Sequence, residues 1–265
     1  MPFIETQDRQ IFYREVGRGP AIVLGHSFFC CGEMWRHQVP ELAKAHRVIN
    51  VDYRGHGRSS PVREDFEVYD LVEDSVALLD HLEIKQAVWA GLSVGGMTAM
   101  RAALRYPERV SALILLDTDA GAERAWIKIK NRPMGSATRL VGLRPFLPAI
   151  VRGMFGSTTC RENRQLVEEW KNRFAAADLE SMRHFMAMLM HRDSAVSRLG
   201  EIQMPALVIV GAEDRALPPP LSRRIAAGLP NSSLVEIPRS GHLCTLEQPD
   251  AVTAAMLDFL ERHLG

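Results

Sequence analysis

The sequence predicts an α/β fold: a mostly parallel central sheet flanked by helices, carrying an inserted helical cap. Three observations predict it. Short, continuously apolar, β-branched runs recur along the chain, as expected for strands buried on both faces of a parallel sheet. Stretches of helical periodicity separate them, and strand–helix alternation implies parallel strands with helices on both sides. The alternation then breaks between residues 122 and 200, where no buried strand is apparent.

In chain order, residues 10–15 read as a strand and Val16-Gly17-Arg18-Gly19-Pro20 as a turn. Strands follow at 21–25 (AIVLG), 47–52 (RVINVD), 87–91 (AVWAG), 110–117 (VSALILLD), 206–211 (ALVIVG) and 233–238 (SLVEIP). Leu71, Val72, Val76, Leu78, Leu79 and Leu82 recur at helical spacing over 68–82, and residues 93–106 are rich in Ala, Met and Leu. Pro and Asp open the last helix, 249–264, with Val252, Met256, Phe259 and Leu260 on one face. Pro133, Pro145 and Pro148 cut the interrupting stretch, in which 165–174 and 178–190 read as helices. The expected domains are a core of 1–121 and 201–265 and a cap of 122–200. A helical insertion between strands of such a sheet is expected over the strand C-termini, where ligands bind.

Composition narrows the function classes. Of 265 residues, 32 are Lys or Arg and 32 are Asp or Glu, so the formal net charge is zero. That argues against gripping nucleic acid or an anionic membrane by bulk charge. With 46% hydrophobic and 24% charged residues the chain is ordinary globular material. Cys30 and Cys31 are adjacent, Cys160 and Cys244 stand alone, and none has CxxC spacing, so neither a metal site nor a disulfide framework is expected. No signal peptide pattern and no apolar run of membrane-spanning length is visible, so the expected location is cytoplasmic.

The most informative segment is Gly91-Leu92-Ser93-Val94-Gly95-Gly96, directly after one expected strand and opening the next expected helix. So tight a strand-to-helix turn needs small neighbours around the serine. It lifts the hydroxyl above the sheet and points the helix's unpaired N–H groups at the same place. A serine hydroxyl needs a base to take its proton, and the base needs an orienting acid. His242, in Ser240-Gly241-His242 past the strand 233–238, is the candidate base. Asp214, just past 206–211, is the favoured acid. Asp117, Asp119 and Glu213 are the alternatives, and Asp117 is the one that also ends a strand. The oxyanion donors expected are the backbone N–H groups of Val94 and of Phe28, the latter in His26-Ser27-Phe28-Phe29 after the strand 21–25. A loop-holding role is expected for His26.

Taken together, His26-Ser27-Phe28, Asp52-Tyr53-Arg54-Gly55-His56-Gly57-Arg58-Ser59, the Ser93 motif, Asp214 and Ser240-Gly241-His242 resemble the α/β-hydrolase superfamily over nearly the whole chain. Within it the chain looks like small lid-bearing carboxylesterases and 3-oxoadipate enol-lactonases. Gly91-Leu92-Ser93 with the following Gly-Gly-Met, Met34-Trp35 and Asp117-Thr118 point that way. Ser27 stands where many members have Gly, a glycine that the enol-lactonase-like branch also lacks. The resemblance implies a serine hydrolase needing no cofactor and no metal, acting on a small-molecule ester. A lactone or enol-lactone hydrolase is the alternative, and a slow-turnover ligand receptor on the same fold is a third reading. Phe29, Trp126, Phe146, Trp170 and Met186 are expected to line the substrate pocket. Arg124, Arg132, Arg139, Arg144 and Arg152 are cations available to an anionic lactone.

Overall fold

The structure, a computed structural model, describes residues 2–6, 9–123 and 141–264. Eight strands form one sheet: β1 (Phe3–Thr6), β2 (Arg9–Val16), β3 (Ala21–Gly25), β4 (Arg47–Val51), β5 (Ala87–Leu92), β6 (Val110–Leu116), β7 (Ala206–Gly211) and β8 (Ser232–Ile237). Their order across the sheet is β1-β2-β4-β3-β5-β6-β7-β8. The β1–β2 and β2–β4 pairs are antiparallel and every other pair is parallel. The expected fold class is therefore observed. Sequence patterning missed β1, which is only four residues long and gains its place by pairing Phe3 with Phe12, their rings 5.2 Å apart.

Helices α1 (Gln38–Leu42), α2 (Val68–His81) and α3 (Val94–Arg105) link the first six strands. Between β6 and β7 lie α4 (Leu147–Met154), α5 (Ser157–Glu162), α6 (Arg164–Ala175) and α7 (Leu179–His191). After β7 come α8 (Pro219–Gly228), α9 (Cys244–Glu247) and α10 (Pro249–Leu264). As sequence, Pro218-Pro219-Pro220 reads as a run that stiffens a loop. In the structure α8 starts there, because a proline in a helix's first turn lacks only an N–H that would have no partner anyway.

Each central strand sends alternate side chains to opposite faces. Val23, Trp89, Leu113 and Leu115 pack with α2, α3 and Ile225 of α8. Ile22, Leu24, Val88, Ala90, Ile114 and Leu116 pack with Trp35, Leu42 and the apolar stripe of α10. The helices between β6 and β7 divide the same way. Phe185 and Met188 of α7 join the first cluster, while Trp170 and Phe174 of α6 join the second. Among the described residues, no helix is long and apolar enough to cross a membrane.

The loop after β4 is braced by charge. The Arg54 guanidinium donates to both Asp74 carboxylate oxygens at 2.7 and 2.8 Å, and the Thr6 hydroxyl donates to Oδ1 at 3.0 Å. Arg54 and Asp74 are both buried, at 2% and 3% exposure. The pair locks β1, the loop and α2 together. Removing one partner strands the other's charge away from water, a loss of about 3–5 kcal/mol. Asp74→Ala is therefore expected to lower the unfolding free energy by about that amount, measured by urea denaturation.

Candidate active site

The sheet order reverses direction at β3: the chain runs from β3 outward to β4, then returns to the other side of β3 as β5. The C-terminal ends of β3 and β5 therefore flank the point where the strand order reverses, the usual ligand position in open α/β sheets. Gly25 and Gly91 are paired across that boundary, so the segments starting at His26 and Leu92 begin side by side.

Ser93 occupies the turn between β5 and α3 with φ 57° and ψ −111°. A positive φ on a non-glycine residue persists only where the surroundings enforce it. The Ser93 N–H donates to the Leu116 carbonyl at 2.9 Å, and the Thr118 hydroxyl donates to the Ser93 carbonyl at 2.6 Å. The flanking glycines are sterically required. A Cβ on Gly91 would strike the Gly95 backbone, one on Gly95 the Gly25 carbonyl, and one on Gly96 the Thr118 side chain at 2.7 Å. Val94 is the first residue of α3, where a backbone N–H has no partner within the helix.

Phe28 and Phe29 follow β3, their rings 4.1 Å apart. The Phe28 ring lies parallel to Phe185 of α7 at 5.7 Å, and Phe29, with φ 63°, reaches Phe174 of α6 at 6.1 Å. His26 is wholly engaged with backbone. Its Nε2 accepts from the Tyr53 N–H at 2.8 Å, so the proton is on Nδ1, which donates to the Ser27 carbonyl at 2.8 Å. Burial holds His26 below the ordinary imidazole value, against the opposing pull of Asp52. Asp52 accepts from the Gly32 and Arg58 N–H groups at 2.7 and 2.9 Å and so ties the segment after Phe29 to the Arg54–Ser59 loop.

Asp214 follows β7 and His242 follows β8. His242 Nδ1 lies 2.8 Å from Asp214 Oδ2, with both residues buried. The other Asp214 oxygen, Oδ1, accepts from the Ala216 and Leu217 N–H groups at 2.8 and 3.0 Å, which fixes the carboxylate plane. Burial works to lower the His242 pKa. The charge and hydrogen bond of Asp214, with Asp117 and Glu247 beyond, outweigh it and raise the value above the ordinary one.

Asp117, the alternative acid, stands one residue beyond Leu116, whose carbonyl holds Ser93. Asp117 Oδ1 accepts from the Gly211 N–H at 2.7 Å, and Oδ2 has no hydrogen-bond partner among the described residues. Burial, reinforced by the Asp214 charge, pushes its carboxyl well above the usual carboxylate range. Glu213 turns away to cap α5, accepting from the Thr158 N–H at 2.8 Å. Asp119 pairs with Arg224 at 2.7 Å.

The expected pocket residues are more dispersed. Trp170 is fully buried against Phe174, while Phe146 and Met186 are half-buried. Arg144 and Arg152 are exposed. Trp126, Arg124, Arg132 and Arg139 lie outside the described residues. A groove of about 430 Å³ runs between residues 65–69 and 187–193, and neither Ser93 nor His242 lines it. Among the described residues no group of three or more His, Cys, Asp or Glu could hold a metal ion. Thr118 and Glu247 are the site residues that sequence reasoning gave no part. Thr118 sits two residues past β6 and Glu247 five past His242, and only the folded chain brings them to the backbone they hold.

The sequence pattern of the alpha/beta hydrolase fold matches residues 20–249. The chain is 28% identical over 263 residues to 3-oxoadipate enol-lactonase 2 of Acinetobacter baylyi, covering 98% of this chain and 96% of that protein. A thermophilic esterase from Thermogutta terrifontis has a TM-score of 0.92 at 28% identity, covering 99% of this chain and 97% of that one. The enol-lactonase from Burkholderia xenovorans LB400 has a TM-score of 0.91 at 27% identity, covering 98% and 100%.

The elbow makes one expectation concrete. Gly95→Ala places a methyl group against the Gly25 backbone, which has no room to retreat between paired strands. A loss of about 3 kcal/mol or more is expected, seen as a lower unfolding midpoint or failure to accumulate as soluble protein.

Proposed function

The chain belongs to the α/β-hydrolase fold family and is a hydrolase; from that premise we propose that it cleaves carboxylic esters through Ser93, His242 and Asp214. The observation that carries this reading is the buried His242–Asp214 pair on the same sheet rim as the strained Ser93 turn. Leu116 and Asp117 link the two halves, the first by its bond to Ser93 and the second by its electrostatic contact with His242 and Asp214.

In the proposed cycle Ser93 Oγ attacks the ester carbonyl carbon while His242 Nε2 takes the hydroxyl proton. Asp214 holds Nδ1–H and favours the imidazolium so formed. The backbone N–H groups of Phe28 and Val94 receive the oxyanion. The tetrahedral intermediate collapses as His242 gives its proton to the departing alkoxide, leaving an acyl-Ser93. Water, deprotonated by His242, attacks the acyl carbon; the acyl–Oγ bond then breaks as His242 returns that proton to Ser93 Oγ, releasing the acid and free Ser93. Residues 122–200 act in this reading as the cap over a core of 1–121 and 201–265. Phe28 and Phe29, backed by the buried Phe185 and Phe174, wall the acyl side, an aromatic surface suited to apolar esters.

The enol-lactonase relatives support a second reading, hydrolysis of a lactone or enol-lactone by the same residues. A panel of p-nitrophenyl esters of graded length beside several lactones separates the two. Ester turnover is expected to exceed lactone turnover in kcat/KM, and the reverse order selects the second reading.

Ser93→Ala is expected to reduce kcat on the order of 10⁶-fold with the fold intact; wild-type turnover in that variant ends the proposal. The base must be unprotonated to act. With its pKa raised, the acidic limb of the kcat/KM profile is expected above about 6.5, the ordinary imidazole value. Asp214→Asn removes the charge that most raises it and is expected to move that limb to lower pH while cutting kcat by about 10⁴-fold.

A further inference from the structure

Resting on the reading of His242 as the base, we propose that Glu247 is a positioning residue that clamps the His242 loop to the α4–α5 junction of the β6–β7 insertion. Glu247 ends the short helix α9, and its carboxylate reaches back over the loop that precedes it. Oε1 accepts from the Gly241 N–H at 3.0 Å and the Leu243 N–H at 3.2 Å, the amides of the residues on either side of His242. Oε2 accepts from the Gly156 N–H at 2.8 Å, at the junction of α4 and α5. Burial raises the Glu247 carboxyl above its ordinary value, and the three backbone N–H groups pull it back toward the charged form.

The surrounding contacts leave the loop little freedom. The Leu243 N–H also lies 3.2 Å from the Met154 carbonyl. A Cβ on Gly241 would strike the Gly156 nitrogen, and one on Gly211 would strike the Gly241 carbonyl. Glu213, beside Asp214, binds the same stretch from the other loop. Its Oε2 accepts from the Ser157 hydroxyl and the Thr158 N–H at 2.9 and 2.8 Å, and its Oε1 from the Thr158 hydroxyl at 2.5 Å. Residues 154–158 are thus bonded to both loops that carry the acid–base pair. This stretch of the insertion is part of the catalytic framework, and a base displaced by about 1 Å loses on the order of 10²-fold in rate.

The clamp is also a charge. The groups facing His242 are Asp214, Asp117 and Glu247, each of which favours its imidazolium. The Cys244 thiol is the other titratable neighbour in the cluster, held protonated by burial. Glutamine at 247 keeps the shape but offers one accepting oxygen in place of two and carries no charge. Aspartate keeps the charge on a shorter arm.

The test compares wild type, Glu247→Gln, Glu247→Asp and Ser93→Ala. It reads kcat and KM on a p-nitrophenyl ester and the ring titration of His242 by NMR, assigned by its loss in His242→Gln. Glu247→Gln is expected to lower kcat ten- to hundredfold with KM within about twofold, and to move the His242 titration to lower pH. Glu247→Asp is expected to lose kcat while keeping the wild-type titration. A purely structural glutamate would lower thermal stability and leave both readouts of the folded enzyme unchanged, and that result overturns the proposal. If Glu247→Gln does not fold, Glu247→Asp decides: wild-type kcat overturns the clamp and a selective kcat loss supports it. Absence of Ser93-dependent hydrolysis in the wild type sinks the functional reading instead, and the NMR titration still decides the clamp.

Discussion

Three backbones meet at one rim of the sheet with no side chain between them, and the candidate site depends on that contact. Gly25 ends β3, Gly91 is its partner on β5, and α3 crosses above them at Gly95. Because α3 can lie so close to the strands, the chain reverses within one residue, Ser93, at a dihedral pair that costs of order 1–3 kcal/mol. The bonds to Leu116 and from Thr118 hold it there. The same closeness sets the His26–Phe29 segment beside the first peptide of α3. The strained residue, the helix terminus and the neighbouring loop are consequences of one packing constraint.

The acid–base half of the site is built differently. Asp214 and His242 sit on separate loops, and carboxylates rather than glycine contacts hold those loops. Asp214 orients the ring, Glu213 and Glu247 fix the backbone around the pair, and Asp117 pins Gly211 at the end of β7. Three of these acids, Asp214, Asp117 and Glu247, face the imidazole and would repel one another if all were ionised without partners. Asp214 and Glu247 each accept two or more backbone N–H bonds, and burial raises the Glu247 carboxyl and pushes that of Asp117 well above the usual carboxylate range.

Much of this was legible before folding. Val23 and Trp89 lie on buried strands whose apolar runs are continuous, and the Gly91–Gly96 spacing makes sense only for a tight strand-to-helix turn. The placement of Asp214 and His242 past successive strands followed from the same alternation. What stayed hidden has physical causes. Strand β1 is too short to show periodicity and exists through its pairing with β2. Helix α8 starts at prolines that read equally well as a rigid loop. Glu247 and Thr118 act on backbone atoms, and any acid or hydroxyl along the chain has the same capacity until the fold supplies the geometry. Trp170, expected at the pocket, is an aromatic whose hydrophobicity is equally served by packing against Phe174.

The division of the inserted helices between the two faces of the sheet has a consequence for how this protein can be rebuilt. Phe185 belongs to one core cluster and Trp170 and Phe174 to the other, so the insertion is sewn into both layers rather than resting on top of them. Excising it, or grafting in a foreign segment matched only in length, would bare apolar surface on either side of the sheet and invite aggregation. Recombination with a relative is better served by exchanging the whole unit with its underlying contact residues, because the natural seam follows the side-chain clusters and not the chain trace.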